Sequence, residues 1–214
     1  MNLHSIPCFL IHRQQDTIRE PSILELEKAL GLPLQRFEAF SGLDGLKMFQ
    51  LEDFLTMDGF PMKHPNGGQS GPGNIGCTAS HIKIIKDAIA SNYPYCCIFE
   101  DDAEVVGNLD EYFSAVDTLL PADIIILGCV PAGKSSTSCA SLEKIEHFWG
   151  THALIINRRA MIAILDTFIY YVEAGYALPA DWLYSFAIAD HKLVAYAPVE
   201  PVIRQRPGFV SLTS

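Results

Sequence analysis

Three consecutive acids, Glu100, Asp101 and Asp102, follow an apolar run in "CCIFEDDAEV" (96–105). Clustered carboxylates at the end of a buried strand repel one another and are costly without a positive partner. In extended backbone residues i and i+2 share a face, so Glu100 and Asp102 converge while Asp101 points elsewhere. Two converging carboxylates suit a hard divalent cation, Mn2+ or Mg2+, which keeps positions open for substrate phosphates when few protein groups hold it. The alternative is a solvated charge run ahead of the next helix, and the triplet by itself leaves both open.

The elements around the triplet decide which reading is physically sensible. "IPCFLIH" (6–12) reads as a buried strand. "EPSILELEKALG" (20–31) reads as a helix, with Pro21 at its start and Gly31 after its last turn. "QRFEAF" (35–40) alternates like a second strand, which "SGLDG" (41–45) breaks. "IGCTASHIKIIKDAIAS" (75–91) is an amphipathic helix, followed by strand 95–99, the acids, helix 108–120 and strand 123–128. A strand over 147–157, a helix over 158–175 ending at Gly175, a short helix near 181–190 and a strand near 193–197 complete the pattern. Strands alternating with helices predict an α/β fold, a Rossmann-like α/β/α sandwich around a mostly parallel central sheet. Ligands sit beyond the carboxyl ends of strands in such sheets, and the triplet stands at one of those ends. The stretches 61–73 and 131–141, rich in Gly, Pro and Ser, read as loops able to close over a bound ligand and exclude water.

With 214 residues the chain suits one domain, residues 1–214. Its net charge of −10, from 15 basic and 25 acidic side chains, disfavours nucleic acid and anionic lipid as nonspecific partners. No run reaches the roughly 20 apolar residues of a membrane helix. The N-terminus reads as a first strand, without the basic leader and cleavage site of a signal peptide. The six cysteines form no C-x-x-C pair, so the expectation is a reduced, cytoplasmic chain without disulfides or a zinc knuckle.

Several segments, in order, resemble glycosyltransferase family 25, which covers bacterial lipooligosaccharide galactosyltransferases and procollagen galactosyltransferase domains. They are "FLIHRQQDTIRE" (9–20), "QRFEAFSGLDG" (35–45), "GNIGCTASHIKII" (73–85), "CCIFEDDAEV" (96–105) and "WGTHALIINRRAMIAIL" (149–165), with "LPADWLYSF" (178–186) and the ending 201–214 in keeping. The resemblance implies a GT-A fold, a nucleotide-sugar donor such as UDP-galactose, a manganese-type ion at the acidic signature and an oligosaccharide or lipid-linked glycan acceptor. It also leaves room for peripheral contact with a membrane through such an acceptor.

On this reading Glu100 and Asp102 hold the ion and Asp101 contacts ribose or sugar hydroxyls. His12, Arg13 and Arg19 flank the turn after the first strand, where a base or diphosphate would rest, and Arg suits phosphate through its fork of donors. The alternative for both arginines is a surface ion pair. Ser80 and His81 contact the donor, or His81 is a satisfied core histidine; Lys83 is solvated. An inverting transfer needs a general base for the acceptor hydroxyl. Asp181 is the choice, against a plain N-cap role, with His152 as rival base or sugar contact. Gly150 and Thr151 allow a tight backbone approach to a sugar, and Gln205 and Arg206 close over the diphosphate. Two other classes stay open: a metal-dependent phosphohydrolase or nucleotidyltransferase using the same acids, and an inactive UDP- or glycan-binding relative.

Overall fold

The computed structural model describes residues 3–48, 71–117, 122–131, 138–139 and 142–207. In chain order the elements are β1 (Cys8–His12), α1 (Glu20–Leu30), β2 (Gln35–Glu38), α2 (Gly42–Met48), α3 (Pro72–Ala90), β3 (Tyr95–Glu100), β4 (Ala103–Val105), α4 (Leu109–Asp117), β5 (Ile124–Pro131), β6 (Ser138–Cys139), β7 (Leu142–Ile145), β8 (Phe148–Asn157), α5 (Arg158–Glu173), α6 (Ala180–His191), β9 (Ala195–Pro198) and β10 (Ile203–Gln205).

The main sheet has the order β2-β1-β3-β8-β5-β9-β7-β6. β1 pairs in parallel with β2 and β3, and β5 in parallel with β9, whereas β8 lies antiparallel between β3 and β5. Strands β1, β2, β3, β5 and β9 therefore point the same way. The result is the expected α/β sandwich with a mostly co-directional sheet, interrupted by β8. A two-stranded ribbon of β4 and β10 stands beside it.

The pattern of β3 explains why it is central. Cys96, Cys97, Ile98 and Phe99 are all fully buried. Strand alternation sends Cys96 and Ile98 into the layer under α3, α5 and α6, and Cys97 and Phe99 into the layer under α1 and α4. Helix α1 follows its sequence signals: Pro21 stands in the first turn, and Gly31 closes the helix in the left-handed conformation with φ 68°. Cys8, Cys77, Cys96 and Cys97 carry free thiols.

Three local expectations change. Residues 41–45, read as a strand-breaking turn, instead lead into α2 (Gly42–Met48), which packs on α3. Gly76 makes that approach possible, since a Cβ there would stand 2.3 Å from the Phe40 carbonyl oxygen. The short strands β4, β7 and β10 arise in stretches without strand periodicity, held by pairing to β10, β9 and β4 respectively. Of the two expected closing loops, residues 61–70, 132–137 and 140–141 lie outside the described residues; Pro72 and Gly73 open α3, and Ser138–Cys139 form β6.

Candidate active site

The alternation of β3 continues into the acidic turn. Ile11 on β1 aligns with Glu100, so His12 comes beside Asp101 on the α1 face. There the Asp101 carboxylate accepts a hydrogen bond from His12 Nδ1 at 2.8 Å and forms a close ion pair with the Arg19 guanidinium. Asp101, His12 and Arg19 are all nearly inaccessible to water. The second imidazole nitrogen of His12 lies 3.4 Å from Glu20.

Glu100 faces the opposite layer. Its Oε1 accepts a short hydrogen bond from the Thr151 hydroxyl and lies 3.3 Å from His81 Nε2. His81 is itself completely buried, with Nδ1 3.0 Å from the Tyr184 hydroxyl. On the other side of the carboxylate, His152 Nδ1 stands 3.9 Å from Glu100 Oε2 and 3.9 Å from Asp102 Oδ1. The second Asp102 oxygen accepts a hydrogen bond from Gln205 at 3.0 Å, and the Asp102 carbonyl accepts from the Arg206 amide at 2.7 Å. Ribbon β4–β10 thus fastens Asp102 from the tail side.

These neighbours set the protonation states. Burial pushes Glu100 upward, but His152 and His81 outweigh it and hold the carboxyl well below the ordinary carboxylate range. Burial pushes Asp102 up, and the Glu100 charge pushes it further, against the Gln205 hydrogen bond. Burial pulls His152 down, yet the attraction of Glu100 and Asp102 leaves it above its ordinary 6.5.

Asp102 Oδ1 and His152 Nδ1 are both buried and without a hydrogen-bond partner. Two buried polar atoms that face one another across 3.9 Å without a hydrogen bond to any group are costly unless a further partner joins them. A divalent cation held there would satisfy both, and Glu100 would complete a three-ligand group whose donor atoms all lie within 4.8 Å of one another. The two carboxylates suit Mn2+ or Mg2+, with the imidazole as a third, softer donor.

A pocket of about 390 Å³ opens in front of Glu100, Asp101 and Asp102. Its other walls come from Ile11 and Arg13 after β1, Phe40 to Leu43 at the start of α2, and Pro72, Gly73, Cys77 and Ser80 of α3. This is the carboxyl end of β1, β2 and β3, as the fold class leads one to expect. The size suits a nucleotide-sized ligand.

Several residues expected to face a ligand are instead tied to the protein. Arg13 forms a 2.7 Å ion pair with Asp16 while still edging the pocket. Arg19 edges it too, with its charge already matched by Asp101. The Ser80 hydroxyl donates to the Gly76 carbonyl and accepts from the Phe40 amide, which fixes the pocket wall. Lys83, by contrast, is expected to be solvated, and it pairs with Asp87 on the solvent face. Arg206 turns away to Glu25 and Glu104.

Gly150 does enable a close approach, but to its own neighbour. With φ 79° it bends β8 so that the His152 ring comes where a Cβ would lie, 2.8 Å from Nε2. The Gly150 amide donates to Asp181 Oδ2 at 3.1 Å, and Asp181 Oδ1 accepts from the Trp182 amide at 2.8 Å. Asp181 therefore clamps the start of α6 to the bend of β8, the bend that presents Thr151 and His152 to the acids. Sequence reasoning did not single out Cys77 or Tyr184. A signal for Cys77 existed, since it lies four residues before His81 on the same face of a helix.

A family model described as glycosyltransferase family 25 (LPS biosynthesis protein) matches residues 6–149. The lacto-N-neotetraose biosynthesis glycosyltransferase LgtB of Neisseria meningitidis serogroup A is 28% identical over 72% of this chain and 57% of its own length. LgtE of Neisseria meningitidis serogroup B, with the same description, is 28% identical over 72% of this chain and 55% of its own. The chain thus spans a little over half the length of the curated relatives it matches. Among solved structures, A197 from STIV superposes with a TM-score of 0.49 at 10% identity, over 92% of this chain and 82% of that one. The family match covers β1 through the start of β8 and includes both walls of the pocket, and on it the chain belongs to glycosyltransferase family 25.

Proposed function

We propose that this chain carries the donor site and reaction centre of a metal-dependent, inverting glycosyltransferase of GT-A type. It transfers a sugar, galactose from UDP-galactose, to a glycan acceptor in the synthesis of lipooligosaccharide or another surface glycan. Family membership and the names of the relatives support the reaction class. The observation that carries the metal-dependent reading is the convergence of Glu100, Asp102 and His152, with two of their polar atoms orphaned, where Glu100 and Asp102 line the 390 Å³ pocket.

When bound, a divalent cation at these three residues offsets the charge that builds on the departing nucleoside diphosphate. The protein's own part is positioning. Thr151 and His81 hold Glu100, Gln205 holds Asp102, and the Gly150 bend delivers His152. The walls from Ile11 and Phe40 to Leu43 supply apolar surface for a nucleoside.

In the transfer, the acceptor oxygen bonds to the anomeric carbon, the bond from that carbon to the diphosphate oxygen breaks, and the hydroxyl proton goes to a base. Asp181 is that base. Its carboxylate is fixed by two backbone amides and keeps lone pairs for a proton. His152, placed between the two acids, serves as the third ligand. A lipid-linked acceptor would bring the protein to a membrane face; no helix among the described residues is long and apolar enough to cross one.

The test is release of UDP from UDP-galactose with Mn2+ and a panel of oligosaccharide acceptors. Release is expected to need both ion and acceptor. Asp181→Asn is expected to keep the thermal stabilisation by UDP and lose at least about 100-fold in turnover. Near-normal turnover in Asp181→Asn would move the base elsewhere, and no stabilisation by UDP with Mn2+ would overturn the donor assignment.

A further inference from the structure

A second group of ligand-type side chains lies on the other side of Glu100. Cys77 Sγ is 3.8 Å from Glu100 Oε1, His81 Nε2 is 3.3 Å from the same oxygen, and all three donor atoms lie within 4.8 Å of one another. Cys77 and His81 are one turn apart on α3, so the helix itself fixes their spacing. Glu100 presents one oxygen to this group and the other to His152.

We propose that Cys77, His81 and Glu100 form a soft-metal site that takes Zn2+, distinct from the hard-cation group and coupled to it through the shared Glu100 carboxylate. The 3.8 and 3.3 Å separations of Cys77 and His81 from Glu100 match tetrahedral zinc. With metal–ligand bonds of about 2.0–2.3 Å, neighbouring ligand atoms in a tetrahedron sit roughly 3.3–3.8 Å apart. The donor types also match, since thiolate and imidazole select zinc over manganese or magnesium.

The surroundings supply what such a site needs. His81 must offer the Nε2 lone pair, which requires Nδ1 to carry the proton and donate it. The Tyr184 hydroxyl, 3.0 Å from Nδ1, is the acceptor in that tautomer. The same hydroxyl can turn and donate to Nδ1 when no metal is bound, leaving Nε2–H to donate to Glu100. One buried tyrosine therefore serves both states. Cys77 and Glu100 line the pocket, so the fourth position of the tetrahedron opens toward it. On coordination the Cys77 thiol gives its proton to solvent. Occupation draws Glu100 Oε1 toward α3, and zinc thereby weakens binding of a hard cation that shares this carboxylate.

Co2+ reports the site directly, because a thiolate ligand adds a sulfur-to-cobalt charge-transfer band in the near ultraviolet. The full chain titrated with Co2+ is expected to develop this band and to lose it when Zn2+ is added. Cys77→Ser, or Cys77→Ala if the serine variant is unfolded by circular dichroism, is expected to lack the band. Asp102→Ala, which removes a ligand of the other group only, is expected to keep it. Zn2+ is also expected to slow alkylation of Cys77 in the unaltered protein at least about tenfold, read by mass spectrometry. No band in the folded protein, a band retained without Cys77, a band lost in Asp102→Ala, or unchanged alkylation would each overturn the proposal. None of these readouts depends on sugar transfer, so failure of the enzymatic reading leaves this one standing, and the reverse.

Discussion

Asp101 and Asp102 are adjacent in sequence, both almost wholly buried, and opposite in kind. Asp101 is saturated, with one oxygen on Arg19 and the other on His12. Asp102 is not: one oxygen is held by Gln205, and the other faces an imidazole 3.9 Å away with no hydrogen bond to either. A charge whose partners are all supplied by the fold does architecture, here tying the turn after β1 to the end of β3. A charge left with an unmet lone pair in a pocket is matched to something that arrives later. The chain separates the two roles by one residue, using the two faces of a strand.

Breaking the saturated side is expected to have the largest effect on stability. Asp101→Ala takes the buried carboxylate away from both Arg19 and His12, a loss of about 3–5 kcal/mol. At about 2–4 °C per kcal/mol for a chain of this size, the melting temperature should fall by about 6–20 °C. A drop of a degree or two would mean that this pair is a solvated surface contact, contrary to its burial. Loosening the unsaturated side should act differently. Gln205→Ala removes the support of one Asp102 oxygen and is expected to weaken Mn2+ affinity about tenfold with little change in melting temperature, by calorimetry and thermal melts on the same sample. A large melting change with unaltered affinity would assign Gln205 to architecture, alongside Arg19.

The smallest expected effect is in pH. His152 has a folded-state pKa raised above 6.5 by Glu100 and Asp102, so the stability it contributes is present below about pH 6.5 and lost as pH rises through the folded value. In cation-free buffer the melting temperature should therefore decline as pH rises from about 6 to 8, and His152→Asn should flatten that decline. A slope unchanged in His152→Asn would place the titration elsewhere.

The order of strands and helices was legible because period-2 and period-3.6 apolar patterns are strong in residues 6–12, 75–91 and 95–99. The split between Glu100 with Asp102 and Asp101 was legible for the same reason, since alternation survives the end of a strand. The partners of Asp101 were not. Arg19 and His12 look like ligand-binding groups in sequence, and only the parallel register of β1 with β3 turns them toward Asp101. Helix α2 was hidden because Ser41, Gly42, Asp44 and Gly45 are turn formers by local preference; packing against α3 overrides it. The three-residue strands β4 and β10 are too short to show any period, yet they carry Gln205 to Asp102. His152 was legible as chemistry, but its position beside the acids was not. Its position depends on the positive φ of Gly150, which the glycine permits without announcing.

The central claim is that the unmet atoms of Asp102 and His152, with Glu100, hold a divalent cation beside a bound nucleotide. The direct measurement is Mn2+ titration by calorimetry in the presence of UDP, for the unaltered chain and for Asp102→Ala with its fold checked by circular dichroism. The account predicts saturable binding of one ion, weakened at least about 100-fold in Asp102→Ala. Equal Mn2+ affinity in the two proteins, or no Mn2+ binding by the unaltered chain with UDP present, would contradict it.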